Sequence, residues 1–359
     1  MTTLFAAVGM AASGGQGFAD TLDAALSKAL SPDQPGVAVL IARLDGLVLF
    51  RKGYGRADLN SREPITPKTV FNTGSISKTF VAYGILKLAE RKKLSLEDTL
   101  DKYFPDFEHP EIARRVTLAH LLSHTSGLPD LRDTGAQRDY YLTAKDEENF
   151  APLKAAKELR FSPGERFEYS NPAFNGLALI IERLTGDKWQ RFIQREVFGP
   201  AGMASAKITD GPYPERGVAH GYARTANGWQ EDDYGEFPTF AAAGNGGIWA
   251  SVDDLFLYER AIQSGRFLPT EQIALSRTPF RPANWSSESA PQVGMSWFHR
   301  TTPTGANSHY HSGSQGGFRG WHEAIPQRNL TFILLGNAPE PFAQALKIVN
   351  DQLDAFKLR

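Results

Sequence analysis

Ser75-Ile76-Ser77-Lys78 sets a hydroxyl and an amine three residues apart. If this segment is helical, the two side chains stand one turn apart on the same face, roughly 5 to 6 Å between Cβ atoms, and the amine can act on the hydroxyl's proton. A helix amino terminus adds unpaired N–H groups and the positive end of a dipole, both of which favour an alkoxide and the oxyanion it would generate. The chemistry in view is nucleophilic acyl transfer. By composition S-x-x-K occurs about once by chance in a chain of this length, so on its own it reads more simply as a capping serine followed by a solvated lysine.

Two more segments carry suitable groups. Tyr169-Ser170-Asn171 precedes a helical stretch, where a phenol and an amide can project together into a groove; alone, it is a half-buried tyrosine and a capping asparagine. Tyr310-His311-Ser312-Gly313-Ser314, followed by Gln315-Gly316-Gly317, reads as a strand giving way to glycines that allow close backbone approach to a ligand. A lone histidine is usually structural, yet His311 stands in chain order where a cationic, substrate-facing group is needed. His124 reads as a loop histidine bonded to backbone rather than a triad member. Asp253-Asp254, after Ser251, suits the first turn of a helix. G-x-S-x-G, H-E-x-x-H and a Gly-rich G-K-[ST] loop do not occur.

The elements that must position these groups follow from spacing. Residues 36–58 form two β-rich runs around Asp45-Gly46, a tight hairpin signal. From Ser75 to about Arg91 the period turns helical, with Val81, Ile85 and Leu88 on one face. VTLAHLLSH (116–124) and NGLALIIERLTG (175–186) continue the helical middle, the second closed by a C-cap glycine. SVDDLFLYERAI is a capped amphipathic helix, TFILLGN (331–337) a strand, and 341–356 a last helix. Strands at both ends with helices between them predict an α+β architecture: one antiparallel sheet assembled from the two ends, beside an α-rich lobe, with the site in the groove between them. The expected division is residues 1–17 as an amino-terminal segment, then a single catalytic domain over 18–359, its sheet lobe from 18–70 and 240–359 and its helix-rich lobe from 71–239.

Composition narrows the classes. The chain has 359 residues, 41% hydrophobic and 22% charged, enough to bury a large core without a staple. With 39 basic against 40 acidic side chains it has no global attraction to nucleic acid or an anionic membrane; a small molecule or short peptide is the expected partner, and no oligomeric state is implied. The absence of cysteine excludes disulfides, thiolate catalysis and cysteine-ligated metal sites. No apolar run reaches the roughly 20 residues of a membrane helix. Leu4 to Ala12 has about the length of a signal core, yet the first basic residue is Lys28, so a shortened export signal and a frayed terminus are both open, with export slightly favoured.

Taken together, the three segments resemble the penicillin-recognising serine hydrolases, whose signature is S-x-x-K, a polar triad ending in Asn, and K-T-G. The Tyr-x-Asn form is similar to the branch holding class C beta-lactamases, D-aminopeptidases, esterases of the same fold and D-alanyl-D-alanine carboxypeptidases. FNTGSISKTF, KLSLEDTLDKYFP, TLAHLLSHTSGLPD, FSPGERFEYSNPAFNGLALIIERLTG, VFGPAGM, AGNGGIWASVDDL and HSGSQGGF carry the resemblance from about residue 35 to residue 340. It implies a beta-lactamase/transpeptidase-like fold, with no cofactor and no metal. It makes Ser75 the acylated nucleophile, Lys78 its hydrogen-bonded neighbour and Tyr169 the expected base, though which of Lys78 and Tyr169 takes the first proton stays open. Asn171 would bind a substrate amide or the Lys78 ammonium, and the N–H groups of Ser75 and Ser314, beside Gly313, would form the oxyanion hole.

One position departs from the pattern. His311 stands where beta-lactamases and most carboxypeptidases of this group have lysine, which moves the expectation away from beta-lactams toward an esterase or a peptidase/amidase acting on small acyl or D-amino-acid-type substrates. Arg319 could restore a positive charge. An imidazole there is expected to tie carboxylate recognition to its own protonation near neutral pH. A beta-lactamase or D-alanyl-D-alanine carboxypeptidase is the alternative. A penicillin-binding or sensor module without turnover is a reading of another class, and its mark would be the loss of Ser75, Lys78 or Tyr169. The loops at about 130–149 and 211–240 are expected to hold the specificity.

Overall fold

A computed structural model describes residues 3–137, 140, 143–208, 217–232, 243–286 and 291–358, with side chains from Gln16 onward. Residues 1 and 2, and positions 211–216 and 233–240 of the expected specificity loop, therefore lie outside the described residues.

The hairpin expected around Asp45-Gly46 is β1 (Val37–Arg43) and β2 (Val48–Tyr54); Gly46 takes a φ of 112° in the turn, open to glycine and strained for other residues. Downstream come β3 (Phe71–Asn72), β4 (Lys207–Ile208), β5 (Tyr222–Thr225), β6 (Gly228–Glu231), β7 (Ile248–Ala250), β8 (Gln292–Val293), β9 (Phe298–Thr301), β10 (Asn307–Gln315), β11 (Phe318–Ile325) and β12 (Leu330–Gly336). One antiparallel sheet runs in the order β2-β1-β12-β11-β10-β9-β8, so the chain's early and late strands meet where Val37 pairs with Gly336. Small sheets β3-β7-β4 and β5-β6 complete the strands. The architecture is the expected α+β.

Helices cover both faces of the large sheet. The main ones are α1 (Thr3–Ala29), α2 (Ser77–Glu90), α3 (Leu118–Leu122), α4 (Asp146–Lys154), α5 (Asn171–Thr185), α6 (Trp189–Ile193), α7 (Val252–Gln263) and α8 (Pro339–Ala355). Val37, Val39 and Ile41 of β1 face a core shared with Phe18, Leu22 and Leu26 of α1 and Val349 and Leu353 of α8. Ala38, Leu40 and Ala42 face the other way, into the larger core with Phe80, Ile85 and Tyr258. Both faces being buried, β1 and β12 read as unbroken apolar runs instead of the polar alternation of a half-solvated antiparallel strand.

The helix boundaries follow their caps. Ser251 and Asp254 form a capping box at the start of α7, and Gly186 closes α5 in the left-handed conformation at φ 68°. Among the described residues no helix is long and apolar enough to cross a membrane.

Candidate active site

A single 3₁₀ turn, Gly74–Ile76, leads into α2 and carries Ser75. Thr73, the residue before it, donates its hydroxyl to the Ile248 carbonyl at 2.8 Å and makes no cap to the helix-start N–H groups. Those groups keep their positive end for a ligand. The predicted one-turn spacing holds: Lys78 Nζ lies 3.0 Å from Ser75 Oγ.

Lys78 is fully buried, and Nζ also donates to the Asn245 carbonyl at 2.6 Å. No carboxylate lies within ion-pair distance of it among the described residues. Desolvation, then the Arg132 charge, holds its pKa well below the ordinary lysine range. Burial thus favours the neutral amine, and in that form Nζ offers a lone pair to the Ser75 hydroxyl. Such an amine can take the hydroxyl's proton.

Tyr169 lines the same cleft as Ser75, its ring centroid 5.2 Å from Lys78 Nζ. The side chain is 37% exposed in the groove. Desolvation by the surrounding protein still pushes the phenol up to about 12, with Ser75 pulling the other way. It keeps its proton at neutral pH. Burial without a counter-ion favours the neutral forms of both lysine and phenol, which suits Lys78 as the acceptor of the first proton and Tyr169 as a donor.

His124 bonds backbone, accepting at Nδ1 from the Ser170 N–H at 3.0 Å, and its ring stacks on Tyr169 at 4.3 Å and 24°. Spacing gave no sign of that stacking partner. Ser170 caps α5 by accepting from the Ala173 N–H at 3.3 Å, which presents Asn171 to the groove beside Ser75.

β10 forms the opposite wall. β9 pairs with it only from Asn307 to Tyr310, so the edge from His311 to Gln315 has no strand partner on that side and meets the Ser75 turn. The approach is close enough to require glycines. A Cβ on Gly74 would lie 2.5 Å from the Ser314 nitrogen, and one on Gly313 would lie 1.9 Å from the Thr73 carbonyl oxygen and 3.3 Å from the Ser75 nitrogen. The backbone nitrogens of Ser75 and Ser314 thus border one small space, the arrangement an oxyanion needs.

His311 lines the groove but is 1% exposed. Nδ1–H donates to the Ser312 carbonyl at 2.6 Å, which leaves Nε2 as a lone-pair acceptor without a protein partner. Desolvation, then the Lys78 charge, pushes its pKa down to about 3. Burial favours the neutral imidazole through the physiological range, against the expected link between its protonation and carboxylate recognition. Arg319, half-buried, holds its Nη1 on the Gly316 and Phe318 carbonyls at 2.7 Å and borders both clefts that open on Ser75.

Those clefts differ in character. One of about 480 Å³ is polar, with Arg132, Asn171, Asn245 and Gln315; the other, about 530 Å³, is walled by Tyr169, Phe298, Trp321, Phe342 and Leu346. All seven expected site residues come together here, Lys78 through its bond to Ser75. Sequence reading missed Arg132 and the Asn245 carbonyl. The glycine-dense AGNGG was the available signal for the second, but a backbone oxygen has no residue type to announce it. Among the described residues no group of three or more His, Asp or Glu could hold a metal ion.

Comparison with known proteins agrees with this geometry. Penicillin-binding protein 4* of Bacillus subtilis is 28% identical over 314 residues, covering 84% of this chain and 68% of that protein. A D-aminopeptidase of Gluconobacter oxydans is 28% identical over 334 residues, covering 89% of this chain but 59% of its relative. The octameric penicillin-binding protein homologue of Pyrococcus abyssi superposes with a TM-score of 0.79 at 26% identity, over 94% of this chain and 77% of that one. The beta-lactamase family model matches residues 19–355, and the chain belongs to that family of serine hydrolases, the penicillin-binding-protein-like hydrolases among them.

Proposed function

We propose that the protein hydrolyses small acyl compounds through an acyl-enzyme on Ser75, and that its substrates are amides or esters of the D-amino-acid type. The observation that carries this reading is the buried, carboxylate-free Lys78 at 3.0 Å from Ser75 Oγ. Lys78 takes the Ser75 proton as Oγ bonds to the acyl carbon, and the carbonyl electrons move to an oxyanion between the Ser75 and Ser314 N–H groups. As the tetrahedral centre collapses, the bond to the leaving nitrogen or oxygen breaks. Tyr169 donates its proton to that atom and is itself replenished from the Lys78 ammonium. Water then repeats the sequence on the ester, with its proton passing to the same pair.

Two features support the substrate class. A buried neutral imidazole at His311 puts no fixed positive charge where a lysine would, which weighs against a substrate that needs that charge. The aromatic cleft suits an apolar side group, and Arg319 supplies a fixed charge for a carboxylate. The D-aminopeptidase relative agrees in class.

A panel of short esters, D- and L-amino-acid amides, dipeptides and a cephalosporin tests the reading. Steady turnover of D-amino-acid amides or esters above the cephalosporin is expected; turnover of the cephalosporin alone contradicts the substrate class, and stoichiometric acylation without turnover contradicts the enzyme.

The pH dependence has a definite sign. Lys78 must be neutral, so kcat/KM falls as pH drops through its lowered pKa. His311, at about 3, contributes nothing above pH 5 or so. Hence KM profiles of an anionic and a neutral substrate should run parallel from about pH 5 to 9; a KM that rises through pH 6 to 7 for the anionic substrate alone would show a titrating His311.

A further inference from the structure

Asp146 opens α4, where it is 7% exposed and has no cation within ion-pair distance among the described residues. Its carboxylate accepts three N–H groups instead. Gly244 N–H and Asn175 Nδ2 donate to Oδ1, and Trp189 Nε1 donates to Oδ2, each at 2.8 Å. The proposed mechanism uses none of these groups.

What makes the site informative is the residue that follows Gly244. The Asn245 carbonyl accepts from Lys78 Nζ at 2.6 Å, and Lys78 reaches Ser75 at 3.0 Å. The turn bearing both residues is tight, with the Gly246 and Gly247 N–H groups donating to the Ala243 carbonyl at 3.0 and 2.8 Å. It also lies flush on α5: a Cβ on Gly244 would fall 2.7 Å from both Ala178 Cβ and the Phe174 carbonyl oxygen. A buried charge is expensive unless its hydrogen bonds are filled, and here they are filled by groups that lock this turn to α4, α5 and α6.

We propose that Asp146 is a positioning residue for the reaction, its carboxylate holding the Gly244 amide so that the Asn245 carbonyl fixes Lys78 against Ser75. This rests on the functional reading above, in which Lys78 moves the Ser75 proton.

The charge state of Asp146 then matters. Desolvation, aided by the Glu182 charge and opposed by the three N–H donors, pushes the carboxyl up to about 7. The other charged groups around it are Lys145 just before α4, Glu147 and Glu148 on α4, Glu182 on α5, and Lys188 and Arg191 at α6; all of them rim the cavity of about 560 Å³ that reaches Asp146. Lys188 is paired with Glu182 at 3.1 Å and Arg191 with Asp187 at 2.5 Å. Three N–H donors need the ionised form, so protonation near neutral pH loosens the turn and activity falls with it. Stability moves the other way. A raised acid pKa means that the folded state holds a proton the unfolded chain has released, so this group's contribution is full below 3.8 and lost as pH rises to about 7.

The test compares wild type, Asp146→Asn and Gly244→Ala by kcat/KM and melting temperature from pH 5 to 9 on a neutral ester. Ionisation of Asp146, pushed up to about 7, should give the wild type a fall in log kcat/KM toward acid pH. Asp146→Asn should remove the fall centred near that pKa, flatten the decline of melting temperature between pH 5 and 7, and lower kcat by up to about 100-fold at pH 8 with KM little changed. A folded Asp146→Asn protein with the wild-type profile overturns the proposal. Should that variant fail to fold, Gly244→Ala decides, because it displaces the same turn with the carboxylate intact: a fall in kcat at pH 8 supports the role, and wild-type kcat overturns it. Ser75→Ala separates the two levels. If it is inactive while both other variants match wild type, only the positioning role fails; if it is active, the functional reading fails first.

Discussion

Replacing Ser75 with alanine should abolish hydrolysis of every substrate and leave the fold intact. Ser75 lies in one 3₁₀ turn at the groove, hydrogen-bonded through its side chain to Lys78, itself of the site. Alanine suits a helix start well enough that the loss of a hydroxyl there costs about 1 kcal/mol. The reaction loses the atom that bonds to the acyl carbon, and removing such a nucleophile lowers kcat by about 10³-fold or more, leaving whatever the oxyanion site and binding supply. Initial rates on the best ester, with melting temperature measured on the same sample, check this. A folded variant with most of its activity removes Ser75 from the mechanism.

Tyr169→Phe should fall next, by about 10² to 10⁴ in kcat, with almost no change in melting temperature. Phenylalanine keeps the ring that stacks on His124 at 4.3 Å and sits 5.2 Å from Lys78 Nζ; only the hydroxyl goes. Since the phenol is held protonated, its task is to donate to the leaving group, so the loss should be largest for amides, whose leaving nitrogen needs a proton, and smaller for activated esters with acidic alcohols or phenols. Equal losses for both leaving groups would argue against that role. A drop in stability with kcat unchanged would make Tyr169 a packing residue for His124.

Much of this was legible before any coordinates. The Asp45-Gly46 hairpin, the helix after Ser75, the capped helix after Ser251 and the strand at 331–337 all appear within a few residues of where local patterning puts them, because each carries its own turn, cap or apolar period. The Ser75/Lys78 spacing was legible for the same reason: one helical turn is a local fact. What was not legible depends on burial. Lysine and tyrosine side chains do not declare their protonation states in sequence; those emerge because Tyr169, Phe174 and the Asn245 carbonyl surround a buried Lys78 with no carboxylate within ion-pair distance among the described residues. His311 lost its expected charge through the same desolvation. Asp146, an acidic residue beside two others in KDEEN, looks like an ordinary charged helix start; only the fold turns it inward to meet Gly244, Asn175 and Trp189.

A fluorophosphonate probe tests the central assignment most directly, because it marks an activated serine without requiring the right substrate. Peptide mass spectrometry after reaction at pH 8 should locate a single adduct on Ser75, absent from Ser75→Ala. Labelling of any other residue in the wild type, or no labelling in a folded protein that hydrolyses esters, contradicts Ser75 as the nucleophile.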